Sequence, residues 1–106
     1  YIYIITGRPL NTRSMSKQWL KKYKVPYDYL LFSENKSAEV KNINFFIEDC
    51  REIAYNLAQK GITTILIDYP WNKPILEEPT LIKRVKCWQD IQMIFNNSIT
   101  QRRKQL

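Results

Sequence analysis

Apolar runs and amphipathic stretches alternate along this chain, and the alternation predicts strands separated by helices. Tyr1, Ile2, Tyr3, Ile4 and Ile5 are β-branched or aromatic with no polar alternation, the pattern of a fully buried strand. It ends at Thr6-Gly7-Arg8-Pro9, where Gly7 permits unusual backbone geometry and Pro9 suits a turn. Over 11–23 the period becomes helical. Met15, Trp19, Leu20 and Tyr23 share one side, expected to be core, while Arg13, Lys17, Gln18, Lys21 and Lys22 lie mostly on the other. Asn11 or Thr12 is placed to cap this helix, and Val25-Pro26 ends it.

A second strand is expected over 27–32, with Ser33 and Glu34 at its end, then a short helix that Ser37 could cap. Phe45, Phe46 and Ile47 form a third apolar run that stops abruptly at Glu48-Asp49. Helical spacing follows over 51–60, burying Ile53, Ala54, Leu57 and Ala58, and Gly61 supplies a left-handed cap. The run 62–67 is the most strand-like in the chain. Beyond it come an aromatic loop, Asp68-Tyr69-Pro70-Trp71-Asn72, and a stretch over 73–80 that reads as surface loop. Lys83 and Arg84 make 81–85 an edge strand, and a last helix runs from Trp88 through Ile91, Ile94 and Phe95 before fraying into a polar tail. Strand–helix–strand units of this kind predict an α/β fold with a parallel sheet. No internal repeat or second domain is visible.

Composition narrows the class. A chain of 106 residues, 44% hydrophobic and 25% charged, has the makeup of one small globular domain. No uncharged apolar run approaches a membrane span, and no signal-peptide pattern is present. Two cysteines, Cys50 and Cys87, with no histidine, exclude a Cys/His zinc site and any histidine base. They do not make a disulfide scaffold either, so a reducing, cytoplasmic setting is expected. Cys50 beside an acid pair could be a nucleophile, but without a histidine partner a structural thiol is the commoner role. The net charge of +7 invites a polyanion. Its positives are scattered over helix faces, apart from Arg102-Arg103-Lys104, which is the pattern of a solvated surface. The chain opens at Tyr1, already inside a strand-like run, so residues upstream of it are expected.

Candidate chemistry gathers at predicted strand ends, where open parallel sheets bind ligands. Glu48 and Asp49 suit a hard divalent cation such as Mg2+. Asp49 followed by Glu52 is equally a helix-capping pattern, and the two roles are compatible. The Thr6 hydroxyl either holds an anion or only caps its turn. Lys36 lies where a fixed positive charge reaches the strand-end crevice, although a surface lysine is commoner, and Lys41 is the weaker candidate. Trp71 is either a platform for a substrate ring or an aromatic that closes the core.

The spans Ile4-Ile5-Thr6-Gly7-Arg8-Pro9, Glu34-Asn35-Lys36-Ser37 and Phe46-Ile47-Glu48-Asp49 resemble, in order and spacing, motifs II, III and IV of the haloacid dehalogenase-like phosphatase superfamily. Asp68-Tyr69-Pro70-Trp71-Asn72 and Arg84-Val85-Lys86-Cys87-Trp88 are similar to a branch of small bacterial 5′-nucleotidases. The resemblance implies a Rossmann-like three-layer parallel sheet. Residues 1–96 would be the C-terminal part of the phosphatase core and 97–106 a basic polar tail. It implies that Thr6, with Gly7 and Arg8, binds the transferring phosphoryl group and that Lys36 offsets negative charge there. It further implies that Asp49, helped by Glu48, holds Mg2+, and that the substrate is a phosphate monoester, most naturally a nucleotide. This is the positioning and charge neutralisation that phosphoryl transfer requires.

One departure outweighs the matches. The superfamily's first motif, a strand followed by Asp-x-Asp, is absent, and with it the nucleophile. This chain alone is therefore expected to be inactive, as the C-terminal part of a larger enzyme whose upstream segment brings the nucleophile strand. The competing expectation is a non-catalytic α/β module that binds nucleic acid or an acidic partner through its basic surface.

Overall fold

The computed structural model describes residues 1–39, 41–74 and 77–105, with the backbone alone for Ser37, Glu39 and 99–105. The chain divides into two compact units, Tyr1–Lys41 and Asn42–Leu106. No Pro- or Gly-rich linker marks the division, which is why the sequence reads as one domain; Asn42, with φ 57°, turns the backbone there.

The first unit holds β1 (Tyr3–Thr6), α1 (Arg13–Lys22) and β2 (Tyr29–Phe32). The strands pair in parallel, Tyr3 opposite Tyr29 and Thr6 opposite Phe32, so both carboxyl ends lie at the same edge. The expected full burial of the first strand is not found. Tyr3 stays 43% exposed, because a two-stranded sheet offers little cover. The aromatic stripe of α1 is also not core in this unit. Ser16 and Leu20, one turn apart, form the buried line, which rotates Met15, Trp19 and Tyr23 outward. Trp19 and Tyr23 pack on each other instead, ring centres 4.8 Å apart. Thr12 stands at the cap position without a side-chain capping bond; its hydroxyl donates to the Pro9 carbonyl at 2.7 Å. The helix closes when Lys24 N–H donates to the Lys21 carbonyl and Val25 N–H to the Leu20 carbonyl, with Lys24 left-handed at φ 54°.

The second unit holds β3 (Phe45–Glu48), α2 (Arg51–Gln59), β4 (Thr63–Ile67), β5 (Ile82–Val85) and α3 (Trp88–Gln105). Its sheet is parallel, in the order β3-β4-β5, so β4 is central and β5 an edge, as its charges predict. Ile65 and Leu66 of β4 are fully buried. Leu66 packs with Ala54 and Ala58 of α2 and Ile82 of β5, while Ile65 packs with Val85 of β5 and Ile91 of α3. Ile53, expected in the core, is only half-buried; Ala54, Leu57 and Ala58 form the inward face of α2. Gly61 ends α2 at φ +84°, with its N–H donating to the Ala58 carbonyl and the Ile62 N–H to the Leu57 carbonyl. A left-handed residue is required there, and glycine adopts it without strain. The last helix continues to Gln105, where the sequence reading has it fray.

Both units are thus α/β, parallel strands with helical connections or flanking helices. Among the described residues no helix is long and apolar enough to cross a membrane.

Candidate active site

The candidate residues fall in both units. In the first, Thr6 ends β1 and Gly7-Arg8 begins the turn. The Arg8 N–H donates to the Thr6 Oγ1 at 3.2 Å, so the hydroxyl does cap its turn. An accepting hydroxyl keeps its own hydrogen to donate elsewhere. The Thr6 carbonyl accepts the Ser33 N–H at 2.9 Å, which ties the ends of β1 and β2 together. Gly7 does not have the unusual geometry expected of it. Its φ is not left-handed, and a Cβ built there would meet its nearest neighbour, the Ser33 carbonyl oxygen, at an ordinary 3.8 Å. Thr6 and Arg8, with Ile4, Ile5, Ser16 and Trp19 among others, line a cleft of about 300 Å³. Lys36 opens a 3-10 turn, Lys36–Glu39, and is half-buried. The capping role read for Ser37 lies outside the described side chains.

In the second unit β3 delivers its two acids to its carboxyl end and they take opposite attitudes. Glu48 is buried, at 6% exposure, and its Oε1 accepts the backbone N–H groups of Asp49 at 3.1 Å and Cys50 at 3.3 Å. Asp49 is exposed. It is not the cap of α2. Cys50 holds that position without a side-chain capping bond, and the Cys50 thiol donates to the Glu52 Oε2 at 3.4 Å. Glu52 is shifted to lower pKa by its own backbone N–H, then by Cys50 and Arg51. What the acid pair offers is oxygen donors alone, the chemistry that suits Mg2+. Among the described residues no three His, Cys, Asp or Glu side chains gather into a metal cage. Mg2+ commonly keeps several waters and takes one or two carboxylates, so the exposed Asp49 carboxylate fits it even with Glu48 turned onto the backbone.

Beside this pair lies a polar cluster that sequence reasoning missed. Asn72 is fully buried in a 3-10 turn, Pro70–Asn72, after β4. Its Nδ2 donates to the Asp49 and Ile67 carbonyls, both at 2.7 Å, and its Oδ1 accepts the Tyr69 N–H at 3.1 Å. Arg84, from β5, donates through Nη1 to the Asn72 Oδ1 at 2.9 Å and through Nη2 to the Asn72 carbonyl at 2.8 Å. The same guanidinium bonds Asp68 at 2.8 Å and both oxygens of Glu78. Tyr55 of α2 donates to Glu78 at 3.0 Å, and Lys73 bonds Asp68 at 2.7 Å. Lys73 and then Arg84 hold Asp68 below the usual carboxylate range, Arg84 and then Tyr55 do the same for Glu78, and Glu78 in turn raises Arg84. Burial, reinforced by Glu78, pushes the Tyr55 hydroxyl up.

The stretch 73–80 is therefore not simply a surface loop, since Glu78 is drawn into this cluster; residues 75 and 76 lie outside the description. Trp71 does not close the core. It is 63% exposed and stacks on Tyr69, ring centres 4.4 Å apart and 9° from parallel. Part of a signal was present: Asp68, Asn72 and Arg84 sit in the two spans that carry the expected resemblance to 5′-nucleotidases, whereas Tyr55 and Glu78 do not.

Comparison with known proteins gives one informative similarity. A nucleotidase of Clostridium acetobutylicum is 28% identical to this chain over 94 residues, 85% of the chain and 48% of the relative. The chain thus spans about half the length of the curated relative it matches. No family model matches the chain, and no solved structure does.

Proposed function

We propose that this chain is the C-terminal part of a Mg2+-dependent phosphomonoester hydrolase of the haloacid dehalogenase-like type, acting on nucleotides. The observation that carries the reading is the acid pair at the carboxyl end of β3. Its Asp49 carboxylate is exposed while its Glu48 carboxylate is turned onto the following backbone. Similarity to a protein named as a nucleotidase supports the choice of substrate.

Asp49 is the residue that would hold Mg2+, with Glu48 behind it adding negative charge and fixing the local backbone. When bound, Mg2+ supplies charge neutralisation and a template for the phosphate oxygens. Thr6 donates its hydroxyl hydrogen to a phosphoryl oxygen. Gly7 and Arg8 bind the same group, and Lys36 offsets its charge. The reading takes 1–96 as the C-terminal part of a Rossmann-like, three-layer core and 97–106 as a basic tail. It needs a nucleophile, and an upstream strand bearing Asp-x-Asp would bring one. Among the described residues β1 and β3 each pair on one side only within their own sheets, and either offers an added strand a hydrogen-bonding edge.

The test is phosphate release from nucleoside monophosphates by the full-length gene product with Mg2+. Asp49→Asn is expected to lower kcat/KM by about 100-fold or more, the scale of losing a transition-state charge stabiliser. A gene product without an upstream Asp-x-Asp, or activity indifferent to Asp49, would overturn the proposal.

A further inference from the structure

Resting on that reading of Asp49, we infer that Asn72, locked by Arg84, is a positioning residue for the metal-binding end of β3. Asn72 has every hydrogen-bonding site of its side chain engaged. Both amide hydrogens go to carbonyls, of Asp49 and Ile67, and Oδ1 accepts from Tyr69 and Arg84. This settles the amide's orientation, since a flipped side chain would set oxygen against two carbonyls and hydrogens against two donors. The contact with Asp49 is to its carbonyl and not to its carboxylate. The Asp49 N–H is meanwhile given to Glu48. Its backbone is therefore pinned on both sides, which fixes the direction of the Cα–Cβ bond and leaves the carboxylate to ligate.

One side chain thus joins the carboxyl ends of β3 and β4, and Arg84 adds the end of β5. Asn72 is fully buried, so no solvent competes for these bonds. The guanidinium suits the task because its planar fork meets the Asn72 side chain and backbone together, at 2.9 and 2.8 Å. A lysine in its place would keep the charge and lose the fork. Partners that orient a metal ligand from behind commonly govern affinity without touching the ion. Asn72 and Arg84 stand in that relation to Asp49.

The experiment titrates Mg2+ alone into the full-length gene product by calorimetry and records Tm beside it, for wild type, Asp49→Asn, Asn72→Asp, Arg84→Lys and Ile91→Val. Asn72→Asp turns a donor into an acceptor facing two carbonyls, and Arg84→Lys is the milder variant should that one fail to fold. Ile91→Val loosens the core away from the clamp and calibrates a purely structural loss. Arg84→Lys is expected to weaken Mg2+ binding about 10-fold or more, the usual effect of losing such a support, whereas Ile91→Val lowers Tm with Mg2+ affinity unchanged. Binding lost in Asp49→Asn but unchanged in folded Arg84→Lys overturns this inference alone. Wild type that binds no Mg2+, or Asp49→Asn that binds it normally, overturns the underlying reading of Asp49 as well.

Discussion

Two crossovers in the second unit advance by the same 18 residues, Phe45 to Thr63 and Thr64 to Ile82, and are closed by different physics. Between β3 and β4 the chain forms α2, which lays Ala54, Leu57 and Ala58 into the core. Between β4 and β5 the only helical piece among the described residues is the turn Pro70–Asn72, and Arg84 gathers Asp68, Asn72 and Glu78 around one guanidinium. The first closure is apolar burial, which has no preferred direction and depends little on charge. The second consists of directional, charge-assisted bonds, and these position atoms better than they stabilise. The apolar crossover supplies cohesion. The polar one stands at the strand ends, where the proposed reading puts the metal.

The largest blow to this contrast should come from the helical side. Leu57 is fully buried, and Leu57→Ala is expected to destabilise by about 2–5 kcal/mol, measured by urea unfolding of the full-length protein. Arg84→Gln should cost less, about 2 kcal/mol, for polar partners left unmatched in a half-buried cluster. Equal losses from the two variants would erase the distinction.

A gentler probe is acid. Asp68 and Glu78 have depressed pKa values in the fold, so their contribution is present above the unfolded carboxylate range and is lost as pH falls through the folded values. Amide exchange compared at pH 6 and pH 3.5, corrected for intrinsic rates, should show the β4–β5 crossover losing protection before α2. Simultaneous loss in both would show that the polar cluster carries no separate share.

The helical crossover was legible in the sequence because a 3.6-residue apolar period, Ala54, Leu57 and Ala58, followed by Gly61, has few other solutions. The strands were legible from apolar runs, although the exposure of Tyr3 in β1 was not. The outward turn of Met15, Trp19 and Tyr23 depends on which line of α1 meets its neighbours, and spacing alone does not choose between lines one residue apart. The polar crossover could not be read from spacing or periodicity, for a physical reason. Arg84 reads as an edge charge and Glu78 as a loop charge, and nothing periodic joins residues whose side chains meet only after both strands are placed. In the candidate site, the acid pair was legible at the end of β3. The opposite attitudes of Glu48 and Asp49 depend on hydrogen bonds that the order of residues does not announce.

The register of the strands also bears on how the sheets come together in time. Pairing β1 with β2 brings Tyr3 to Tyr29, a step of 26 residues, against 18 for each pairing in the other sheet. Closing the longer loop costs only about 0.3 kcal/mol more, because closure entropy grows with the logarithm of length. Within the second sheet the two loops cost the same. Chain length therefore does not rank these pairings, and any order among them comes from what each connection buries or binds as it closes.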